Sequence, residues 1–165
     1  MKYLVVFYSM GGATKLIAQK IAEKVNGDVE EIKDTKNRKG ILGFLRSGYE
    51  GARRKLTVIA ETRYDPSQYD VVIIGTPVWA GHMSSPTRTY IVNQRGKFNR
   101  VAFFCTLSMK DAPKIFKDMS KACQKEPVAT VMFNRKEVIK GEYESKLNEF
   151  VSKLESLTEG IQKSS

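Results

Sequence analysis

The chain has 165 residues, 41% of them hydrophobic, and a formal net charge of +10 at pH 7. That length suits one domain able to bury about 70% of its unfolded surface, and no apolar run approaches the roughly 20 residues of a membrane-spanning helix. Cys105 and Cys123, the only cysteines, fall in an apolar strand and a predicted helix, which argues against a zinc site or a redox dithiol and for two buried free thiols.

The N-terminal segment has one lysine before the apolar run Tyr3 to Tyr8. This is too short for the core of a signal peptide, so it reads as a strand over Lys2–Tyr8 and a cytoplasmic location is expected. Small residues follow, Ser9, Gly11, Gly12, Ala13 and Thr14, with Met10 the exception. A helix is predicted over Thr14–Val25, where Leu16, Ile17, Ile21, Ala22 and Val25 mark one apolar stripe. Glycines and hydroxyls between a buried strand and a helix N-terminus suit a phosphate cradle, because that terminus offers free N–H groups and a partial positive charge. Lys15 adds a further charge. The competing reading is a tight turn with Thr14 as N-cap. Neither G-x-G-x-x-G nor the GK[ST] ending of a triphosphate loop is present, so the loop indicates phosphate without naming the ligand.

After a second strand, Val29–Lys33, the stretch Lys33 to Lys55 holds eight basic and two acidic residues, +6 of the total charge. A helix is predicted over Ile41–Arg53. Ile41, Leu42, Phe44, Leu45, Tyr49 and Ala52 recur at helical spacing. The expectation is that this stripe covers the sheet while the charges face solvent. On that expectation a membrane-surface helix is the weaker alternative, and an acidic redox protein or a phosphorylated nucleotide the stronger partner. Nucleic acid is weaker again, since no binding motif accompanies the charge. Gly43, Gly48 and Gly51 each cost about 1 kcal/mol relative to alanine, which implies close packing or mobility.

The third strand, Asp70–Gly75, opens into "TPVWAGHMSSP", Thr76 to Pro86, which contains the only tryptophan, Trp79, and the only histidine, His82. An indole at a loop tip calls for a flat partner or for a fold-back onto the domain. Ser84, Ser85 and Pro86 then begin a helix over Ser85–Arg95. Strand Arg100–Thr106 leads to a third loop, followed by a helix over Ala112–Lys125, strand Val128–Asn134 and a helix over Tyr143–Glu159. In that last helix Leu147, Phe150, Val151, Leu154 and Leu157 share one face. Gly160 to Ser165 are expected to fray. Continuous apolar strands alternating with amphipathic helices specify an α/β doubly wound parallel sheet with helices on both faces, in one domain over 1–165 with a basic helical insert at about 34–56. Ligands of such sheets bind at the carboxyl ends of the strands, which singles out the three loops. No nucleophile–base pair or carboxylate dyad accompanies them.

"FYSMGGATKLIAQKIAEKV" followed by "YDVVIIGTPVWAGHMSSPTRTYI" and "VAFFCT" resembles the flavodoxin family, in element order from Met1 to about Phe150. The resemblance implies a five-stranded flavodoxin-like sheet of order 2-1-3-4-5 and FMN as cofactor. By position, Ser9, Met10, Gly11, Gly12, Ala13 and Thr14 would hold its phosphate. Thr76, Pro77, Val78, Trp79, Ala80, Gly81 and His82 would line the ribityl chain and ring, with Trp79 stacked on one face. Thr106, Leu107 and Ser108 would approach from the third loop. The chain departs from the family pattern at Met10, Gly12 and Ala13, where threonine and asparagine are usual. It also lacks a third-loop tyrosine and acidic residues beside the ring, offering His82 instead. The peptide of Gly81 would favour one-electron chemistry and His82 two-electron chemistry. The implied function is electron transfer between redox partners. The alternative is an NAD(P)H-dependent FMN quinone or flavin reductase, and a third reading is a module without flavin, favoured if Trp79 is tucked into the core.

Overall fold

The computed structural model describes residues 1–36, 38, 40–108 and 111–162, and their side chains except at residues 44 and 158–162. Five strands pair in parallel in the order β2-β1-β3-β5-β6: β1 (Tyr3–Phe7), β2 (Asp28–Glu31), β3 (Val71–Trp79), β5 (Val101–Leu107) and β6 (Pro127–Asn134). A two-residue strand, β4 (His82–Met83), folds back antiparallel on the end of β3. The five-strand expectation therefore holds for the parallel sheet, with β4 as an addition. Its turn is Ala80–Gly81, both at positive φ (48° and 80°). That pair of angles defines the hairpin turn whose twist matches its strands, and it carries β3 four residues past the predicted end at Gly75.

The alternation of strand residues sorts the core into two layers. Tyr3, Val5 and Phe7 of β1 face α1 (Ala13–Val25) and α6 (Glu144–Gln162), while Leu4 and Val6 face α3 (Ser85–Gln94) and α4 (Ile115–Cys123). Ile17, Ala18, Ile21, Ala22 and Val25 of α1 are buried, but Leu16, expected on that stripe, is 37% exposed. Helix α6 buries Leu147, Phe150, Val151 and Leu154 and runs to Gln162. Of Gly160 to Ser165, expected to fray, Gly160 to Gln162 instead continue the helix, and Lys163 to Ser165 lie outside the described residues. A short helix, α5 (Arg135–Lys140), follows β6 directly and was not anticipated. It starts with a capping box, in which Asn134 and Glu137 each bond the other's backbone N–H.

Helix α2 (Gly40–Ala52) lies where the sequence predicts it but turned the other way. Gly43, Ser47, Glu50 and Gly51 face inward, and Ile41, Leu42, Leu45 and Tyr49 face out. The expected sheet-covering role of that apolar stripe is therefore corrected. The cause is the preceding loop. Arg38 is buried with its guanidinium 4.8 Å from the Trp79 ring centre. It donates hydrogen bonds to Asp34 and, at 2.6 Å, to Glu50. An ion network thus occupies the space a leucine face would fill, and Gly43, Ser47 and Gly51 of α2 pack over it and over Trp79. Among the described residues no helix is long and apolar enough to cross a membrane.

Candidate functional site

Two adjoining cavities, of about 100 and 350 Å³, open at the carboxyl ends of β1, β3 and β5. The smaller is lined by Gly11, Ala13, Thr14, Pro77, Thr106 and Leu107, the larger by Ser47, Gly48 and Ala80, and both by Met10, Val78, Trp79 and Ser108. All three predicted loops thus converge. Of the residues singled out in sequence, Ser9, Gly12, Thr76, Gly81 and His82 line neither cavity.

Each of these five has a different placement. Ser9 Oγ accepts the Gly12 N–H at 3.1 Å and shapes the first loop. Gly12 precedes α1 at φ 88°, in the left-handed region that favours glycine. The Thr76 hydroxyl is fully buried and accepts the Ser84 N–H at 3.0 Å, which braces the base of the β3–β4 hairpin against α3. Gly81 completes the turn. His82 points toward α4, its Nδ1 3.6 Å from the Asp118 carboxylate. That carboxylate is also bonded by Arg88 and lies 3.5 Å from Arg54. The histidine therefore borders the helical layer instead of the slot, its Nδ1 buried and without a hydrogen-bond partner among the described residues.

The start of α1 has the character of an anion site. Its first N–H groups have no earlier carbonyl in the helix to bond. No side chain caps them, and no acidic residue sits in the first turn. The Thr14 and Thr106 hydroxyls are hydrogen-bonded at 2.7 Å, tying the first loop to the third. Arg135, the first residue of α5, extends over this loop. A methyl group added at Gly11 would lie 2.9 Å from its guanidinium, and Arg135 lines the smaller cavity. Sequence reasoning missed it because it lies 121 positions beyond Thr14 in a helix too short to show a period. The cap pattern N-R-K-E was the one available signal.

Trp79 is 6% exposed, edge-on to Tyr8 at 5.7 Å between ring centres and roofed by Arg38. It is packed beneath α2 and also borders both cavities. Its Nε1 is buried and has no hydrogen-bond partner among the described residues. Burial pushes the neighbouring Tyr8 hydroxyl up to about 12, so it stays protonated. The Glu50 carboxyl is pushed up by burial, but hydrogen bonds from Arg38, Arg46 and Lys36 outweigh this and hold it at about 2. The chemistry on offer is a cationic, N–H-rich pocket beside an apolar slot with one unused indole donor. A phosphate-bearing aromatic ligand fits that combination.

Solved structures share this fold. A flavoprotein from Lactobacillus acidophilus NCFM, in complex with FMN, superposes with a TM-score of 0.67 at 24% identity, over 84% of this chain and 97% of that one. Oxidised Flavodoxin 2 from Bacillus cereus does so with a TM-score of 0.59 at 16% identity, over 94% and 99%. A flavodoxin from the domain Archaea gives 0.51 at 18% identity, over 94% and 99%. These likenesses establish the shared fold. The sequence itself matches the family described as Flavodoxin over residues 2–153, and the chain belongs to the flavodoxin family.

Proposed function

We propose that this protein binds FMN at the junction of the three loops and carries electrons between redox partners. Family membership supports the cofactor, and one observation carries the reading: the uncapped start of α1 lies under the Arg135 guanidinium in the cavity walled by Trp79. The burial of Trp79 alone suits a module without flavin equally well. A helix start with no acidic residue in its first turn and no side-chain cap among the described residues does not.

The flavin, when bound, supplies the redox chemistry. The chain's own residues hold and enclose it. The N–H groups of Ala13 and Thr14 and the Arg135 guanidinium would take the phosphate, offsetting its charge by the helix dipole and a full cation. Pro77, Val78 and Trp79 form one wall and Met10 another, and Leu107 and Ser108 approach from the third loop. These mostly apolar side chains keep water from the slot. Trp79 Nε1–H would find its missing acceptor on the ligand. Ser47 and Gly48 of α2 close the larger cavity.

The test is direct. The purified protein should be yellow and release FMN on denaturation, with no adenine-containing flavin. A colourless protein that takes up no added FMN would overturn the proposal. Stepwise reduction should show two separate one-electron steps. Rapid bleaching by NADPH with steady quinone turnover and a single two-electron step would replace the carrier by a reductase.

A further inference from the structure

Helix α2 shows to solvent what the other helices bury. Ile41 is 81% exposed, Leu42 83%, Leu45 61% and Tyr49 53%. At about 100° per residue these four and the exposed Ala52 fall on one stripe, opposite Gly43, Ser47, Glu50 and Gly51. The apolar surface continues past the helix into Leu56 and Val58, 52% and 66% exposed. Arg53 and Arg46, the latter also bonded to Glu50 at 3.0 Å, lie along one edge of the stripe. The Arg53 guanidinium and the Lys55 ammonium lie 5.6 and 4.9 Å from the Tyr49 ring centre. Glu50, the one acidic residue of α2, is turned inward to Arg38, so the outward face carries no carboxylate.

We propose that this face seats the protein on an anionic lipid surface, with α2 in the plane of the headgroups and Ile41, Leu42 and Leu45 at the acyl boundary. A helix is held there by its apolar stripe together with the attraction of flanking cations to anionic lipid. Tyr49, apolar in its ring and polar at its tip, suits the same boundary. A second copy fits less well, because it would oppose the Arg46, Arg53 and Lys55 of two chains. An acidic redox protein would satisfy the charges. Transient redox contacts, however, are small, and interface centres favour aromatic side chains and arginine, whereas the most protruding residues here are aliphatic. Ser47 and Gly48 on the same helix wall the larger cavity, so the seat would hold that cavity beside the bilayer, within reach of an acceptor dissolved in it. The seating itself does not depend on flavin.

Flotation of the full chain, with and without added FMN, on phosphatidylcholine vesicles with and without phosphatidylglycerol tests this. The expected result is binding only to vesicles with phosphatidylglycerol, weakened by salt. R53S/K55S, which leaves the Arg46–Glu50 pair in place, should lower the partition coefficient about 25-fold, at about fivefold per cation. L42D/L45D should lower it by at least as much while circular dichroism and FMN binding stay unchanged. No binding of the parent protein at low salt would overturn the proposal. So would binding that L42D/L45D leaves intact, since that is adsorption by charge alone. A dimer broken by L42D/L45D, or an acidic redox protein that competes for the stripe while vesicles do not, would assign the face to a protein instead. A protein that takes up no FMN yet floats with vesicles would sink the functional proposal and leave this one standing.

Discussion

In the proposed site Arg135 and Trp79 would make separate claims on a ligand, one on its charged end and one on its flat end, and substitutions can separate them. Arg135→Ala should weaken FMN binding by about 1.5–3 kcal/mol, the usual worth of hydrogen bonds to a charged group. Riboflavin, which has no phosphate, should bind the variant as well as the parent. Fluorescence titration with both ligands checks this, and equal losses for the two would show that Arg135 only braces Gly11. Trp79→Phe keeps an aromatic ring but removes the buried Nε1–H, which has no partner among the described residues. Losing an unsatisfied donor offsets the lost volume, so the flavin-free protein should unfold within about 1 kcal/mol of the parent. FMN affinity should fall by about 1 kcal/mol or more, because the complex loses the bond that satisfies the donor. Identical FMN affinity would mean that the indole N–H meets nothing on the ligand.

Helix α2 is where the sequence was half legible. Its period and limits could be read, but periodicity does not say which face is buried. The signal that did say so was a second period, Gly43, Ser47, Glu50 and Gly51, spaced at i, i+4, i+7 and i+8. It went unread because small and polar residues are normally assigned to solvent. The glycines now separate by cause. A methyl group on Gly43 would lie 2.2 Å from the Arg38 backbone, one on Gly51 2.8 Å from Trp79, and one on Gly48 more than 4 Å from any described atom outside its own stretch of helix. Gly43→Ala and Gly51→Ala should each destabilise by about 1–3 kcal/mol through overpacking. Gly48→Ala should stabilise by up to about 1 kcal/mol through helix propensity. Urea unfolding of the three variants measures this, and similar values for all would contradict the packing described. The anchor of α2 should also be acid-sensitive. The folded-state pKa of Glu50 is depressed from 4.5 to about 2, so its contribution is complete above about 4.5 and is lost as pH falls toward 2. The difference is worth about 3 kcal/mol at most. Trp79 emission should report the change, since Arg38 lies on that ring, and an identical acid profile in Glu50→Gln would exclude Glu50 as its source.

Across the molecule, the sheet was the most legible part, because strands covered on both faces must be continuous apolar runs, as "YLVVFY" and "VAFFC" are. The hairpin at Ala80–Gly81 and the helix at Arg135 were not. One depends on two positive φ angles, one of them at an alanine, and the other buries only Val138. The three convergent loops were found by topology, whereas the orientation of His82 toward Asp118 needed coordinates. A further difference between parts of the fold concerns how they respond to perturbation. Helices α1 and α6 are attached by isoleucine, leucine and phenylalanine, so detaching them exposes a large apolar area, with the strong urea dependence and heat-capacity change that accompany it. Among its described side chains, helix α2 is attached through glycines, a serine and an ion network, and its release uncovers chiefly the Trp79 ring. Its opening should therefore depend less on urea than theirs and more on salt. In native-state hydrogen exchange its amides should follow a shallower line with denaturant than those of α1 and α6, which converge on global unfolding. The wall of the larger cavity that α2 supplies would then loosen with ionic strength while the rest of the fold stays shut.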